Sequence, residues 1–224
     1  MDSQYAIIVA GGSGARMNND DPKQFIEVAG LPVLMHTIKA FYKYDKDLKI
    51  VTVLPENDIG YWEELCQKYK FEIKTEVQKG GKTRFGSVQN GLELIGDTGV
   101  VAIHDGVRPV IDSEIIAASF SIASIHGSAI ASVRLKESLR VIDKDRTRTV
   151  DRSNFRLIQT PQTFQIPIIK EAYAMAEDKD FTDDASVVED AGYKISLFEG
   201  SYRNIKITTP EDLEVVNALI MNRK

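Results

Sequence analysis

Tyr5-Ala6-Ile7-Ile8-Val9-Ala10-Gly11-Gly12-Ser13-Gly14-Ala15-Arg16-Met17 is the stretch from which the rest of the chain is read. Its first six residues form a continuous apolar run, as expected of a strand buried on both faces, and hence of a parallel sheet covered by helices. The run ends in a glycine loop. Open α/β sheets take ligands at the carboxyl ends of their strands, and glycines there let backbone N–H groups approach phosphate oxygens with no Cβ in the way. Arg16, and Lys23 within the following Pro22-Lys23-Gln24, add two cations, which suit a polyphosphate better than a neutral ligand. The competing reading is a strand-terminating turn with surface charges. Two familiar phosphate motifs fail on spacing. Gly12-Ser13-Gly14 lacks the third glycine of G-x-G-x-x-G, and the glycine that a P-loop needs before Gly81-Lys82-Thr83 falls on Glu76.

Outward from this loop, strand and helix patterns alternate. Helix is expected over 33–43, strand over 50–54, helix over 58–69 and strand over 72–78. Gly80-Gly81 then opens a helix through Leu94, followed by a strand at 100–103, a helix over 113–124 and a strand at 129–133. This order predicts an α/β, Rossmann-like, mostly parallel twisted sheet with helices on both faces. The pattern then changes to two strand-like pieces, 138–142 and 148–152, around the polar turn Asp143-Lys144-Asp145-Arg146. Such a hairpin has little core of its own, so it is expected to protrude as an arm, at about 134–156, and to pack on a partner subunit. Helices near 168–177 and 183–191, strands at 195–198 and 205–208, and a last helix from Pro210 complete the expectation. No repeat or linker divides residues 1–224, so one domain plus an arm is expected.

Composition removes several function classes. A net charge of −5 over 224 residues does not suit a nucleic-acid coat, although a few focused cations can still dominate a cleft. A single cysteine, Cys66, rules out an intramolecular disulfide, and with only three histidines it argues against a structural zinc site. No segment approaches the ~20 apolar residues of a membrane span, and no basic region precedes the first apolar run, so a cytoplasmic location is expected.

Two further segments carry chemistry. Gly80-Gly81-Lys82-Thr83-Arg84-Phe85-Gly86-Ser87-Val88 is a second strand-to-helix glycine loop, in which Ser87 could reach a base or a phosphate. His104-Asp105-Gly106-Val107-Arg108-Pro109 follows a buried strand, where one carboxylate is a sensible ligand for Mg²⁺ bridging phosphates. An Asp–Arg surface pair is the competing reading there.

Taken in order, these segments, with Val150-Asp151-Arg152, Thr160-Pro161-Gln162-Thr163-Phe164 and Asn204-Ile205-Lys206-Ile207-Thr208-Thr209-Pro210, resemble the 2-C-methyl-D-erythritol 4-phosphate cytidylyltransferase family over almost the whole chain. The resemblance implies a transferase joining CTP to methylerythritol phosphate with release of pyrophosphate, in non-mevalonate isoprenoid precursor synthesis. Residue by residue, it implies that Arg16 and Lys23 stabilise charge on the α-phosphate. Ala10, Gly11, Gly12, Gly81 and Ser87 would line the nucleotide, and Asp105 would hold Mg²⁺ or Mn²⁺. Arg108, Ser138, Arg152 and Lys206 would hold the acceptor, with Ser138 and Arg152 serving the active site of the second subunit of a homodimer.

Three positions depart from the family pattern. Ser138 stands in place of Thr, Lys82 replaces an acidic or small residue, and Tyr202-Arg203 occupies a place where an acidic residue is common. The related ribitol-5-phosphate cytidylyltransferases share most of the motifs, and Arg152 favours the methylerythritol enzyme. A non-catalytic nucleotide sensor would not need Arg16, Lys23 and Asp105 together, and a sugar nucleotidyltransferase using UTP or GTP fits less well.

Overall fold

A computed structural model describes residues 3–11, 22–176 and 181–222. In chain order the elements are β1 (Gln4–Val9), β2 (Glu27–Val28), β3 (Leu31–Pro32), α1 (Val33–Tyr44), β4 (Lys49–Leu54), α2 (Ile59–Lys68), β5 (Glu76–Lys79) and α3 (Arg84–Glu93). They continue with β6 (Val100–Asp105), α4 (Ser113–His126), β7 (Ser128–Arg134), β8 (Leu139–Asp143), β9 (Arg146–Val150) and β10 (Arg156–Gln165). The last are α5 (Ile166–Met175), α6 (Asp184–Asp190), β11 (Leu197–Glu199) and α7 (Pro210–Met221).

Seven strands form one sheet in the order β11-β7-β10-β6-β1-β4-β5, parallel except at β10. The unbroken apolar runs are explained by two cores, one on each face. Ala6 and Ile8 of β1 and Val100 and Ala102 of β6 pack with α1, α2 and α4. Tyr5, Ile7 and Val9, with Val101 and Ile103, face α3, α5 and α6. Successive side chains point to opposite faces, so a strand covered on both sides must be apolar at every position. Strand order reverses at β1, which pairs with β4 on one side and β6 on the other. Chain connections diverge there and leave a crevice at the strands' carboxyl ends.

The expected helices are present with small shifts at their ends. Two strand expectations need correction, and one strand was not expected. The strand expected over 72–78 is confined to Glu76–Lys79. Residues 205–208 form no strand; Ile207 instead donates its N–H to the Val107 carbonyl, at 3.0 Å, beside the loop after β6. Strand β10 carries no clear strand signal, because Arg156-Leu157-Ile158-Gln159-Thr160-Pro161-Gln162-Thr163 is polar and contains a proline. It nevertheless inserts antiparallel between β6 and β7. The ladder to β7 breaks between Ile158 and Gln162, which accommodates Pro161 without a lost bond in a regular ladder.

Strands β8 and β9 pair only with each other, closing on the Lys144-Asp145 turn, where Lys144 has φ 51°. Their residues are exposed or half-buried throughout. Among the described residues no helix is long and apolar enough to cross a membrane.

Candidate active site

β1 and β6 run in register, with Val9 opposite Asp105, so both chemistry-bearing segments leave the sheet at one level. The pairing continues past the strands. Ala10 donates to the Val53 carbonyl at 2.9 Å, and Gly106 donates to the Val9 carbonyl at 2.8 Å. Position 106 has to be glycine, since a Cβ there would sit 2.8 Å from that of Ala10. Beside it, the loop before α3 folds so tightly that a Cβ on Gly81 would meet the Gly86 backbone at 2.7 Å. Thr83 caps α3 by accepting from the Gly86 N–H. Ser87 accepts from the Gly81 N–H at 3.2 Å and donates to the Thr83 carbonyl at 2.9 Å. Its hydroxyl thereby shapes the loop and keeps one acceptor lone pair.

Between these segments lies a cavity of about 230 Å³. Of the residues singled out in the sequence, Ala10, Gly11, Lys23, Gly81, Ser87, Asp105 and Lys206 line it. Gly12 and Arg16 lie outside the described residues. Lys82 lines the cavity too, so its departure from the family pattern places an added cation at the wall.

Asp105 is the only carboxylate among the described lining residues. Its Oδ2 faces Arg108 Nε and Lys206 Nζ, each at 3.1 Å, and its Oδ1 lies 3.7 Å from Arg84 Nε. Burial opposes the charged form, but the cations of Lys206, Arg108 and Arg84 overcome it and hold the carboxyl well below the usual carboxylate range. His104 is fully buried, and burial lowers its pKa to about 4. Its tautomer follows from its partners. The Arg108 carbonyl can only accept, so Nε2 carries the proton, while Nδ1 accepts from the Thr160 hydroxyl, which itself accepts from the Asp105 N–H at 3.0 Å.

The later motifs build this scaffold. Arg108 does not line the cavity; it is buried and donates to the Asn204 carbonyl at 2.9 Å as well as to Asp105. Asn204 in turn donates to the Thr160 carbonyl at 2.7 Å, which ties β10 to the segment carrying Lys206. Ser138 and Arg152 lie apart from the cavity, exposed at the arm, and Arg152 Nη1 donates to the Lys136 carbonyl. Tyr202 secures the base of the arm, donating to the Arg134 carbonyl at 2.8 Å while Lys136 sits 3.7 Å over its ring.

Sequence reasoning missed Arg84, which lines the cavity and forks onto buried Asp184 at 2.9 and 2.6 Å. Its position inside the second glycine loop was the available signal. Asp184, a hundred residues away, offered none.

Comparison with known proteins is consistent across sequence and structure. The sequence model of the 2-C-methyl-D-erythritol 4-phosphate cytidylyltransferase family matches residues 4–222. An enzyme of that name from Bacteroides thetaiotaomicron is 47% identical, covering 97% of this chain and 99% of its own. The Bacteroides fragilis enzyme of the same name is 46% identical, covering 96% and 98%. The crystal structure of 4-diphosphocytidyl-2C-methyl-D-erythritol synthase from Anaerococcus prevotii superposes with a TM-score of 0.84 at 30% identity, covering 98% of this chain and 96% of that one. That of 2-C-methyl-D-erythritol 4-phosphate cytidylyltransferase from Thermus thermophilus gives 0.81 at 29% identity, covering 99% and 100%.

Proposed function

The chain belongs to the 2-C-methyl-D-erythritol 4-phosphate cytidylyltransferase family, and on that premise we propose that its cavity joins CTP to 2-C-methyl-D-erythritol 4-phosphate, releasing pyrophosphate and forming 4-diphosphocytidyl-2-C-methyl-D-erythritol for isoprenoid precursor synthesis. The observation that carries this reading is the gathering of Lys23, Lys82, Arg84 and Lys206 in one cavity with a single carboxylate among its described lining residues, Arg84 and Lys206 directly against it.

The acceptor phosphate oxygen attacks the α-phosphorus of CTP in line with the departing pyrophosphate. Two anions have to meet, so most of the catalytic work is electrostatic. Lys23, with Arg16 from the same loop, stabilises the charge that grows on the α-phosphate. Backbone groups of Ala10, Gly11, Gly12 and Gly81 pack along the nucleotide, and Ser87 keeps their loop in shape. Lys206 holds the acceptor phosphate, and Arg108 fixes the Asp105 carboxylate from behind. The acceptor is already ionised at neutral pH and needs no strong base, which agrees with a His104 turned away into the core.

The donor set fits Mg²⁺ or Mn²⁺. Among the described residues no three His, Cys, Asp or Glu side chains gather as a metal cluster. Asp105 is nevertheless enough, because magnesium is commonly held by one or two carboxylates together with substrate phosphates. Its Oδ1 accepts no hydrogen bond among the described residues. A divalent ion held there would neutralise charge on the phosphate oxygens.

Residues 1–224 act as one nucleotidyltransferase domain in a cytoplasmic homodimer, with the arm at about 134–156 crossing to the other subunit. Exposed Ile142 in the arm and Phe155, Leu157 and Ile158 at its base support this, since each leaves apolar area that a second copy would cover. Ser138 and Arg152 then complete the partner's acceptor site.

The test is product analysis with CTP, UTP, GTP or ATP, Mg²⁺, and either methylerythritol phosphate or ribitol 5-phosphate. CTP with methylerythritol phosphate is expected to win. Ribitol's extra hydroxyl would be left poorly paired, at about 1–3 kcal/mol, or roughly ten- to a hundredfold in kcat/KM. Equal rates with UTP or ATP would refute the cytidylyltransferase reading, and a preference for ribitol 5-phosphate would refute the acceptor.

A further inference from the structure

Arg84 is a firmly held cation of the cavity wall. It begins α3, directly after the capping Thr83. Both terminal nitrogens of its guanidinium are committed to Asp184, at 2.9 and 2.6 Å, and Asp184 is fully buried. Tyr173 also donates to Asp184, at 2.7 Å, and its ring stacks on Phe85, with centroids 4.5 Å apart. The layer formed by α5 and α6 therefore fixes the guanidinium from below. Only Nε is left facing the cavity, 3.7 Å from Asp105 Oδ1. The other oxygen, Oδ2, is shared by Arg108 and Lys206.

We infer that Arg84 is a positioning residue that holds Asp105 Oδ1 away from Lys206, so that the Lys206 ammonium stays available to the acceptor phosphate. The carboxylate is a short lever with a rotatable end. Drawn by Arg84 on one oxygen and Arg108 on the other, it touches Lys206 through Oδ2 alone. Without Arg84, the carboxylate turns until both oxygens serve Lys206, and the single contact at Oδ2 becomes a double one that the acceptor phosphate has to break. The bracing by Asp184 matters equally, because an unbraced arginine would follow the carboxylate or the nucleotide phosphates rather than hold a fixed place.

The inference rests on the proposed acceptor role of Lys206, and its test separates the two. Arg84→Lys keeps a charge that the buried Asp184 will draw away from Asp105. The paired change Arg84→Gln with Asp184→Asn removes both charges and leaves no uncompensated carboxylate in the core. In each, kcat/KM for methylerythritol phosphate is expected to fall about tenfold or more, while the Kd for CTP, measured by calorimetry without acceptor, stays within about threefold. A merely structural role would move both together. In a Lys206→Ala background the Arg84 change should cost little more, because the cation it protects is gone. A normal acceptor kcat/KM, full additivity with Lys206→Ala, or a comparable loss of CTP affinity would each overturn the inference. No turnover of this acceptor by the wild-type chain would overturn the reaction and the inference together.

Discussion

The cavity and the hairpin arm carry similar side chains under opposite constraints. Around the cavity, Arg84, Arg108, Thr160 and Asn204 are each held by named partners, three of the four in the buried interior. In the arm, Arg140 binds Thr147 and Thr149 across the hairpin, yet every one of those groups is exposed. A charged group fixed in a dry, low-dielectric setting acts strongly and without reorganisation, while the same group in water acts weakly and is screened. Catalytic strength therefore belongs to the sheet mouth, and the acceptor contacts proposed for the arm would need a second surface to make them rigid.

The contrast is tested most severely at Lys23. Lys23→Ala should lower kcat by about 10²–10³, as loss of a preorganised transition-state cation does, with a smaller change in CTP affinity. Steady-state rates set beside calorimetric Kd values measure both. A variant near full kcat would remove Lys23 from the catalytic group.

Next in size is a pH effect from beneath the site. His104 is held neutral, with a pKa near 4 against the ordinary 6.5, so protonation favours the unfolded chain. Its contribution is complete above pH 6.5 and is lost as pH falls toward 4, amounting to about 3 kcal/mol. Asp105, whose folded pKa is depressed, adds a further loss only at still lower pH, as its carboxyl finally protonates. Urea unfolding at pH 7 and pH 4.5 should show the first loss, and His104→Asn should flatten much of it. An unchanged slope in that variant would assign the acid sensitivity elsewhere.

Mixing variants sharpens the arm's side of the comparison. Lys23→Ala and Arg152→Ala subunits, each nearly inactive alone, should recover roughly a quarter of wild-type activity on exchange. Half of the dimers are mixed, and one of the two sites in each is complete. No recovery despite demonstrated exchange would mean that the arm serves its own subunit.

The smallest effect is expected at Arg140. Arg140→Ala removes only exposed hydrogen bonds and should shift global stability by less than about 0.5 kcal/mol in urea titration. A loss several times larger would show the arm to be anchored within its own subunit.

Much of this architecture was legible in the sequence, because local patterns carried it. Strands buried on both faces betray themselves by uninterrupted apolar runs, and β1, β4, β6 and β7 were read that way. The glycine loops and the arm were legible from composition. Strand β10 was not, since its buried Gln159, Thr160 and Gln162 look like loop residues until their hydrogen-bond partners on distant segments are known. Among the site residues, Lys23, Asp105 and Lys206 are legible from the motifs that hold them, whereas the part played by Arg84 depends on Asp184, a hundred residues away.

What the sequence determined by itself was therefore the layered α/β plan, the two phosphate-suited loops, the acidic residue at the end of a buried strand and the family to which they belong. These follow from neighbours along the chain, where period and residue type act directly. Tertiary structure alone decided that Arg84 reaches Asp184 across a hundred residues, that Asn204 and Thr160 brace Asp105 and Arg108, and that Lys206 meets the same carboxylate. Those meetings depend on strand order and register, which place side chains from remote segments within 3 to 4 Å. No local pattern encodes such an approach, because its energy comes from burying and pairing charges that the unfolded chain keeps apart in water.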